Sequence, residues 1–331
     1  MVLVGILPFC FLLIRLLPSS EGRLGVSIAL LVLLSAAVLW KAPLKTFWLP
    51  LICVLPMYYA ACLGFADMGF FEARAALSKF GTTLSPTIDY WLGTDYEGRD
   101  ILATMVIGGK HAYLVALYSS FTALLLGIPI GLFLTSENII SKNLAFWITQ
   151  FFEIIPQLFF ILIVMGVYNF WAAQDAQARL TASYSLPIAG IAIGLSSLPS
   201  IARILENRVR QLKAERFVPA FYSTNVNSYK VLLYNILRKN SITEIVVQTT
   251  FLFGSALLLE SALGFAYEIG FGDLGTGGYL SWGKLLAESR RSILFGENVM
   301  IVIPPILATL MSIFGINLLG DKLAQHLRTE N

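Results

Sequence analysis

The sequence predicts an all-α fold, a polytopic transmembrane helical bundle, and three observations predict it. Hydrophobic residues fill 57% of the 331 positions. Charged residues fill only 13%, where a soluble domain carries about 25%. The apolar residues are also gathered into eight windows, most near the ~20 residues a helix needs to cross a bilayer.

The first window, Val2 to Leu17, is interrupted by Pro8 and Arg15. A cleaved signal peptide is the rival reading, but no basic residue stands ahead of the apolar run, as such a signal requires. A retained helix is expected there. Leu24 to Trp40 and Phe47 to Phe65 follow, then a polar stretch from Asp67 to Asp100. Ile101 to Leu134 is 34 residues long, more than one simple crossing, and Lys110 and His111 divide it. Ile101 to Ala112 is therefore expected along the interface, with Lys110 reaching headgroups, and Tyr113 to Leu134 is expected to span. Leu144 to Tyr168, Leu186 to Ala202, Ile242 to Phe265 and Val299 to Leu319 complete the set. Pro304 and Pro305 predict a kink in the last.

The loop from Arg203 to Lys239 holds eight of the 23 Lys and Arg residues against Glu206 and Glu215 alone. A basic loop between spans reads as cytoplasmic. With the N-terminus inside, the cytoplasmic segments hold 13 Lys and Arg and the opposite ones eight, so the positive-inside bias supports cytoplasmic N- and C-termini.

Within that loop, Ile204, Leu205, Val209 and Leu212 carry the preceding span onward as an amphipathic helix, with Arg203, Arg208, Arg210 and Lys213 facing elsewhere. Val218 before Pro219 breaks the helix, and Pro219 suits the first turn of a new one. Ser223, Thr224 and Asn225 read as a turn. Val226, Tyr229, Leu233, Ile236 and Leu237 then recur at intervals of three or four, which predicts a second amphipathic helix leading back to the membrane. The loop is thus a helix-turn-helix protrusion, and a basic hairpin of this kind either lies on anionic headgroups or docks a partner.

Other classes find little support. The net charge of +3 has no basic face with interleaved aromatics, so no nucleic acid is expected as a partner. Cys10, Cys53 and Cys62 all fall in apolar stretches, which suits small buried hydrophobes. His111 and His326 are the only histidines and lie far apart, so no His-rich metal cluster arises.

Four stretches carry a resemblance: Leu92-Gly93-Thr94-Asp95-Tyr96-Glu97-Gly98-Arg99-Asp100, Glu260-Ser261-Ala262-Leu263-Gly264-Phe265, Ser281-Trp282-Gly283-Lys284-Leu285-Leu286-Ala287-Glu288, and Asn317-Leu318-Leu319-Gly320-Asp321. In order and spacing, from about Phe47 onward, they resemble the permease subunits of binding-protein-dependent ABC importers of the dipeptide, oligopeptide and nickel class, the second or C-type permease in particular. The resemblance implies a six-span core over residues 47–331, with an extra N-terminal transmembrane hairpin over residues 1–46. It implies no enzymatic activity and no bound cofactor in this chain, ATP and Mg being used by partner ATPases. The implied partners are a second permease subunit, two cytoplasmic ATPase subunits, an extracytoplasmic substrate-binding protein and membrane lipid, in the cell (inner) membrane.

The family's cytoplasmic signature, Glu-Ala-Ala, then Gly, then Ile-x-Leu-Pro, falls in the loop at about residues 203–240. Aligned on Asn235-Ile236-Leu237, the acid is replaced by Pro219, the alanines are Ala220 and Phe221, the glycine is Asn225 and the closing proline is Arg238. Only Ala220 and Leu237 keep the pattern, although Asn225 can still adopt a left-handed turn. The resemblance makes Glu215, Pro219, Ala220, Phe221, Asn225 and Leu237 the expected ATPase-coupling residues.

The first motif also has a local reading. Thr94 and Glu97 are spaced as a capping box that would start the helix at Ile101, and a role in starting the helix stands beside ligand contact. Glu153 and Glu260 lie in apolar windows, where an acid is costly and hence a candidate for lining a pathway or transferring protons. In an ion-coupled secondary transporter, the alternative reading, they would be the coupling acids. Gly278 to Leu285 has the spacing of a phosphate-binding loop up to Lys284, but Leu285 replaces the required hydroxyl. Ser196 with His111 has no spacing that supports a protease.

Overall fold

The computed structural model describes residues 44–75, 84–95, 98–174, 185–214, 241–267, 280–289 and 301–329. The two apolar windows before residue 41 and the 215–240 part of the basic loop lie outside the described residues. Among the described residues the helices are α1 (Leu44–Ala66), α2 (Met68–Ala75), α3 (Ile101–Leu134), α4 (Ile139–Ile154), α5 (Gln157–Gln174), α6 (Ser185–Ala214), α7 (Ser241–Tyr267), α8 (Trp282–Glu288) and α9 (Ile303–Thr329). Helices α1, α3, α6, α7 and α9 are long and apolar enough to cross a membrane, and the bent pair α4–α5 supplies a sixth crossing.

Lipid tails are as apolar as leucine, so packing between spans rests on close approach at small residues. The most extensive pair, α3 with α6, shows this. A Cβ on Gly194 would fall 2.6 Å from the Ser119 carbonyl oxygen. Helix α9 packs on α7 and α1, and α1 and α7 both reach α3, whereas α5 rests mainly on α6. The main core joins Met57, Ala61 and Phe65 of α1 to Ile107 and Tyr113 of α3 and Ile193 of α6. Tyr113 meets Phe65 edge-on at 6.4 Å between ring centroids and Phe253 of α7 at 6.0 Å.

Three expectations are corrected. Ile101 to Ala112 does not lie along the interface: α3 is one helix from Ile101 to Leu134, and Val106, Ile107 and Ala112 are core residues. Lys110 places Nζ 5.2 Å from the centre of the Phe65 ring, and His111 Nδ1 donates to the Leu280 carbonyl at 2.8 Å. The two polar residues that suggested a break are satisfied by neighbouring elements.

Leu144 to Tyr168 is not one straight helix. Ile155 is extended (φ −84°, ψ 121°), as a residue before proline tends to be, and at Pro156 the chain turns by 90° between α4 and α5. Gln157 Nε2 then donates to the Ser196 carbonyl at 3.3 Å, fixing the start of α5 on α6. Pro304 and Pro305 do not kink a helix either. They fall in the first turn of α9, where a missing N–H leaves no bond unmade.

The extension of α6 past the span is as expected: the helix runs to Ala214, with Leu205 and Val209 each 2% exposed.

Candidate functional site

Two ends of the bundle and one groove between spans concentrate the polar chemistry. At the end where α3 begins, the described residues between Leu84 and Asp100 fold on themselves. Gly93 and Gly98 have φ of 83° and 78°, a conformation that L side chains rarely adopt. They turn the chain so that Asp95 N–H donates to the Arg99 carbonyl at 3.0 Å and Arg99 Nε donates to Asp95 Oδ2 at 2.7 Å. Both side chains of that pair are buried. Asp100, not a Thr94–Glu97 box, caps α3: its Oδ1 accepts from Leu102 N at 3.0 Å. Thr94 Oγ1 instead accepts from Leu84 N at 2.8 Å, and Glu97 lies outside the described residues. Arg74 of α2 donates to Asp100 Oδ2 at 2.7 Å and to the Asp89 carbonyl. The described motif side chains, Thr94, Asp95, Arg99 and Asp100, are all turned inward, which makes the motif a staple that closes the loop and starts α3.

Helix α8 completes this end. Ser281 caps it by accepting from Lys284 N at 3.1 Å. Trp282, 1% exposed, donates from Nε1 to the Met105 carbonyl at 2.9 Å and lies over Gly108 and Gly109 of α3. Gly283 sits directly on the Ser261 backbone of α7, leaving no room for a side chain. Glu260, 0% exposed, immediately precedes Ser261 on α7, and its Oε1 has no hydrogen-bond partner among the described residues. Lys284 is likewise buried on a helix, not on a loop whose backbone could wrap a phosphate.

At the opposite end, ion pairs join α6 to its neighbours. Arg203 donates to Glu153 of α4 at 2.8 and 3.0 Å and to Glu206 at 3.0 Å. Arg210 adds a bond to Glu206 at 2.6 Å, and Arg208 lies 3.7 Å from Glu244 at the start of α7. The spacing of Arg203, Glu206 and Arg210 was legible as helical pairing, but the tie to Glu153, 50 residues away, has no local signal. The network stands where α6 leads out to residue 215 and α7 leads back from residue 240. Glu215, Pro219, Ala220, Phe221, Asn225 and Leu237 themselves lie outside the described residues.

Between the ends, α1, α3, α7 and α9 border a groove of about 310 Å³, walled by Met57, Tyr113, Phe253 and Ile316 among others. Its polar groups are hydroxyls. Thr249 and Thr250 donate to their own helix at 2.6 and 2.8 Å, whereas Ser120 Oγ has no partner among the described residues. Sequence reasoning did not find this groove, nor the anchoring roles of Arg74 and Trp282. Neither Glu153 nor Glu260 is among its lining residues. Ser196 Oγ donates to the Ile193 carbonyl at 2.8 Å, the usual use of a serine in an apolar helix. Among the described residues no group of His, Cys, Asp and Glu could hold a metal ion.

No family profile matches the chain. Individual relatives do. A dipeptide transport system permease protein, DppC, of Alkalihalophilus pseudofirmus is 28% identical over 241 residues, 72% of this chain and 71% of the relative. The glutathione transport system permease protein GsiD of Pectobacterium atrosepticum is 23% identical over 241 residues, 72% of each. That of Shigella dysenteriae is 25% identical over 244 residues, 72% of this chain and 71% of the relative. These relatives are permease proteins of dipeptide and glutathione transport systems, and with five to six apolar helices they support a multi-pass membrane protein.

Proposed function

We propose that the chain is the permease subunit of an ATP-driven importer for di- or oligopeptides or a related small solute, one half of a heterodimeric translocation pathway in the inner membrane. Its termini face the cytoplasm. The second half is another permease subunit, two cytoplasmic ATPases use ATP and Mg, and an extracytoplasmic binding protein delivers the solute. The chain itself binds no cofactor and performs no chemistry.

The observation that carries this reading is the braced exit of α6. The helix continues past the span to Ala214 and is tied to α4 through Arg203–Glu153 and to α7 through Arg208–Glu244. The two helices that flank residues 215–240 in sequence are therefore cross-linked near their ends. A push on that segment by a closing ATPase would be delivered to α4, α6 and α7 together. ATP's tighter binding to the closed ATPase state supplies the free energy for the shift. The α1–α3–α7–α9 groove, apolar with the hydroxyls of Tyr113, Ser120, Thr249 and Thr250, is the chain's contribution to the pathway wall.

The test is a mild-detergent pull-down of the tagged chain with identification of co-purifying polypeptides and an ATP-hydrolysis assay. ATPase subunits are expected to co-purify and to be released by Phe221→Asp. A chain that purifies alone and yet transports would overturn the proposal and favour coupling to an ion gradient.

A further inference from the structure

Helix α4 is built unlike the spans around it. It meets α5 at 90°, and α5, with 18 residues, is about 27 Å long at 1.5 Å per residue. That length already matches a hydrocarbon layer of about 30 Å. α5 is therefore long enough to make the sixth crossing without α4, which meets it crosswise at the level where α3 ends at Leu134 and α6 reaches Ala202. At that level Ala145 is buried in a cluster with Leu134, Leu198 and Ala202, and Thr149 is also buried.

The face turned away from the protein is the unusual one. Ile140, Leu144, Trp147, Phe151 and Ile154 recur at intervals of four, three, four and three, which makes a single stripe. They are 79%, 63%, 70%, 55% and 75% exposed. Lys142 and Glu153 occupy a separate side of the helix, with Asn143, Gln150 and the exposed Ile139 and Phe146 between that side and the stripe. An apolar face this wide beside a polar edge is the signature of a helix lying in the plane of a membrane surface, and a large contiguous apolar patch in water marks an interaction site.

We propose that α4 is an in-plane membrane-interface helix whose Ile140-to-Ile154 stripe is immersed at the boundary of lipid acyl chains and headgroups. Lipid is the occupant because the stripe continues, past Pro156, into the exposed Phe159, Ile163, Val167 and Phe170 of α5. That helix sits at the margin of the bundle, resting mainly on α6. Trp147 lies mid-stripe, at the depth tryptophan favours. The polar edge carries Lys142 against the acid Glu153, so apolar area rather than charge holds the helix down. Through Glu153 and Arg203, α4 gives the emerging end of α6 a fixed depth in the membrane.

The test uses the full chain, with its co-purifying subunits, in phosphatidylcholine liposomes with and without phosphatidylglycerol. Spin labels are placed at Leu144→Cys, Trp147→Cys and Phe151→Cys on the stripe and at Lys142→Cys and Gln150→Cys off it, on the polar edge, in a Cys10→Ser background. Cys53 and Cys62 are buried, and labelling of the parent sets the baseline. Stripe labels are expected to favour collision with oxygen over an aqueous nickel complex severalfold relative to the edge labels, in both lipids and at high salt. Free access of nickel to the stripe overturns the proposal, and so does shielding from both reagents, which would mean a protein partner. The unsubstituted chain gives an independent reading by cross-linking to photoactivatable phosphatidylcholine. Lipid adducts are expected on the peptide 139–154, and adducts on α5 alone would overturn the inference. Neither measurement depends on which solute is carried.

Discussion

Asp95 and Arg99 show how a motif that looks like a ligand site can be spent on architecture. Their side chains are 7% and 5% exposed and bond at 2.7 Å, so each cancels a charge that would otherwise be stranded. Removing one partner of such a buried pair costs about 3–5 kcal/mol. Asp95→Ala should therefore sharply lower the temperature at which the chain loses its fold in mild detergent. Arg74→Ala cuts bonds to Asp100 and to the Asp89 carbonyl from a side chain 37% exposed and should cost less than Asp95→Ala, because Asp100 keeps its bond to Leu102 N. Equal losses would show that the loop is held from α2 and not from within. The Arg203–Glu153 pair, about one-third exposed on both sides, is worth roughly 1 kcal/mol or less in stability. Its expected phenotype is functional. Glu153→Gln and Arg203→Ala should each reduce ATP-dependent uptake, and the double variant should lose no more than the worse single one, because both remove the same tie. Additive losses in a double-mutant cycle would refute a shared role.

Helices are the scale at which the sequence was most legible, and where it failed the reason is contact at long range. α1, α6 and α7 fall within a few residues of their apolar windows at the start or end that hydropathy defines. The break at Pro156 was signalled by the proline itself, but the apolar run on both sides concealed it. The first three turns of α3 were misplaced because Lys110 and His111 looked like an interface. Their partners are Phe65 and the Leu280 carbonyl, the latter 169 residues away, and no local pattern announces them. Helix α8 is the missing element in that account. Trp282→Ala should remove the plug between α3 and α7 and cost about 3–5 kcal/mol. Gly109→Ala, which would force a methyl toward Ala60 and the Trp282 ring, should cost about 1–3 kcal/mol by overpacking. Thermal unfolding of the chain in lipid nanodiscs would give both values, and a Trp282→Ala variant as stable as the parent would show that α8 is not what seats α3.

The pairing of whole helices was not legible because every span is apolar on several faces, and which face meets which is settled by small residues such as Gly194 against Ser119. The groove follows from that pairing: it exists only where α1, α3, α7 and α9 leave space between them, so no single window could reveal it. If it lines the pathway, its use can be separated from assembly, because the ion pairs that brace α6 lie at the end of the bundle and the groove lies between the spans. Ser120 lines the groove with a hydroxyl that has no partner among the described residues, so Ser120→Trp would fill the space while breaking no bond. Uptake is expected to fall by about tenfold or more, equivalent to roughly 1.4 kcal/mol on the transport barrier, with recovery of co-purifying ATPase subunits unchanged. Phe159→Trp, on the exposed face of α5, adds bulk on the lipid side and should leave uptake near the parent value. Unchanged uptake in Ser120→Trp would remove the groove from the pathway, whereas loss of the ATPase subunits in that variant would mean that the groove sets the shape of the coupling end and that the two regions move as one body.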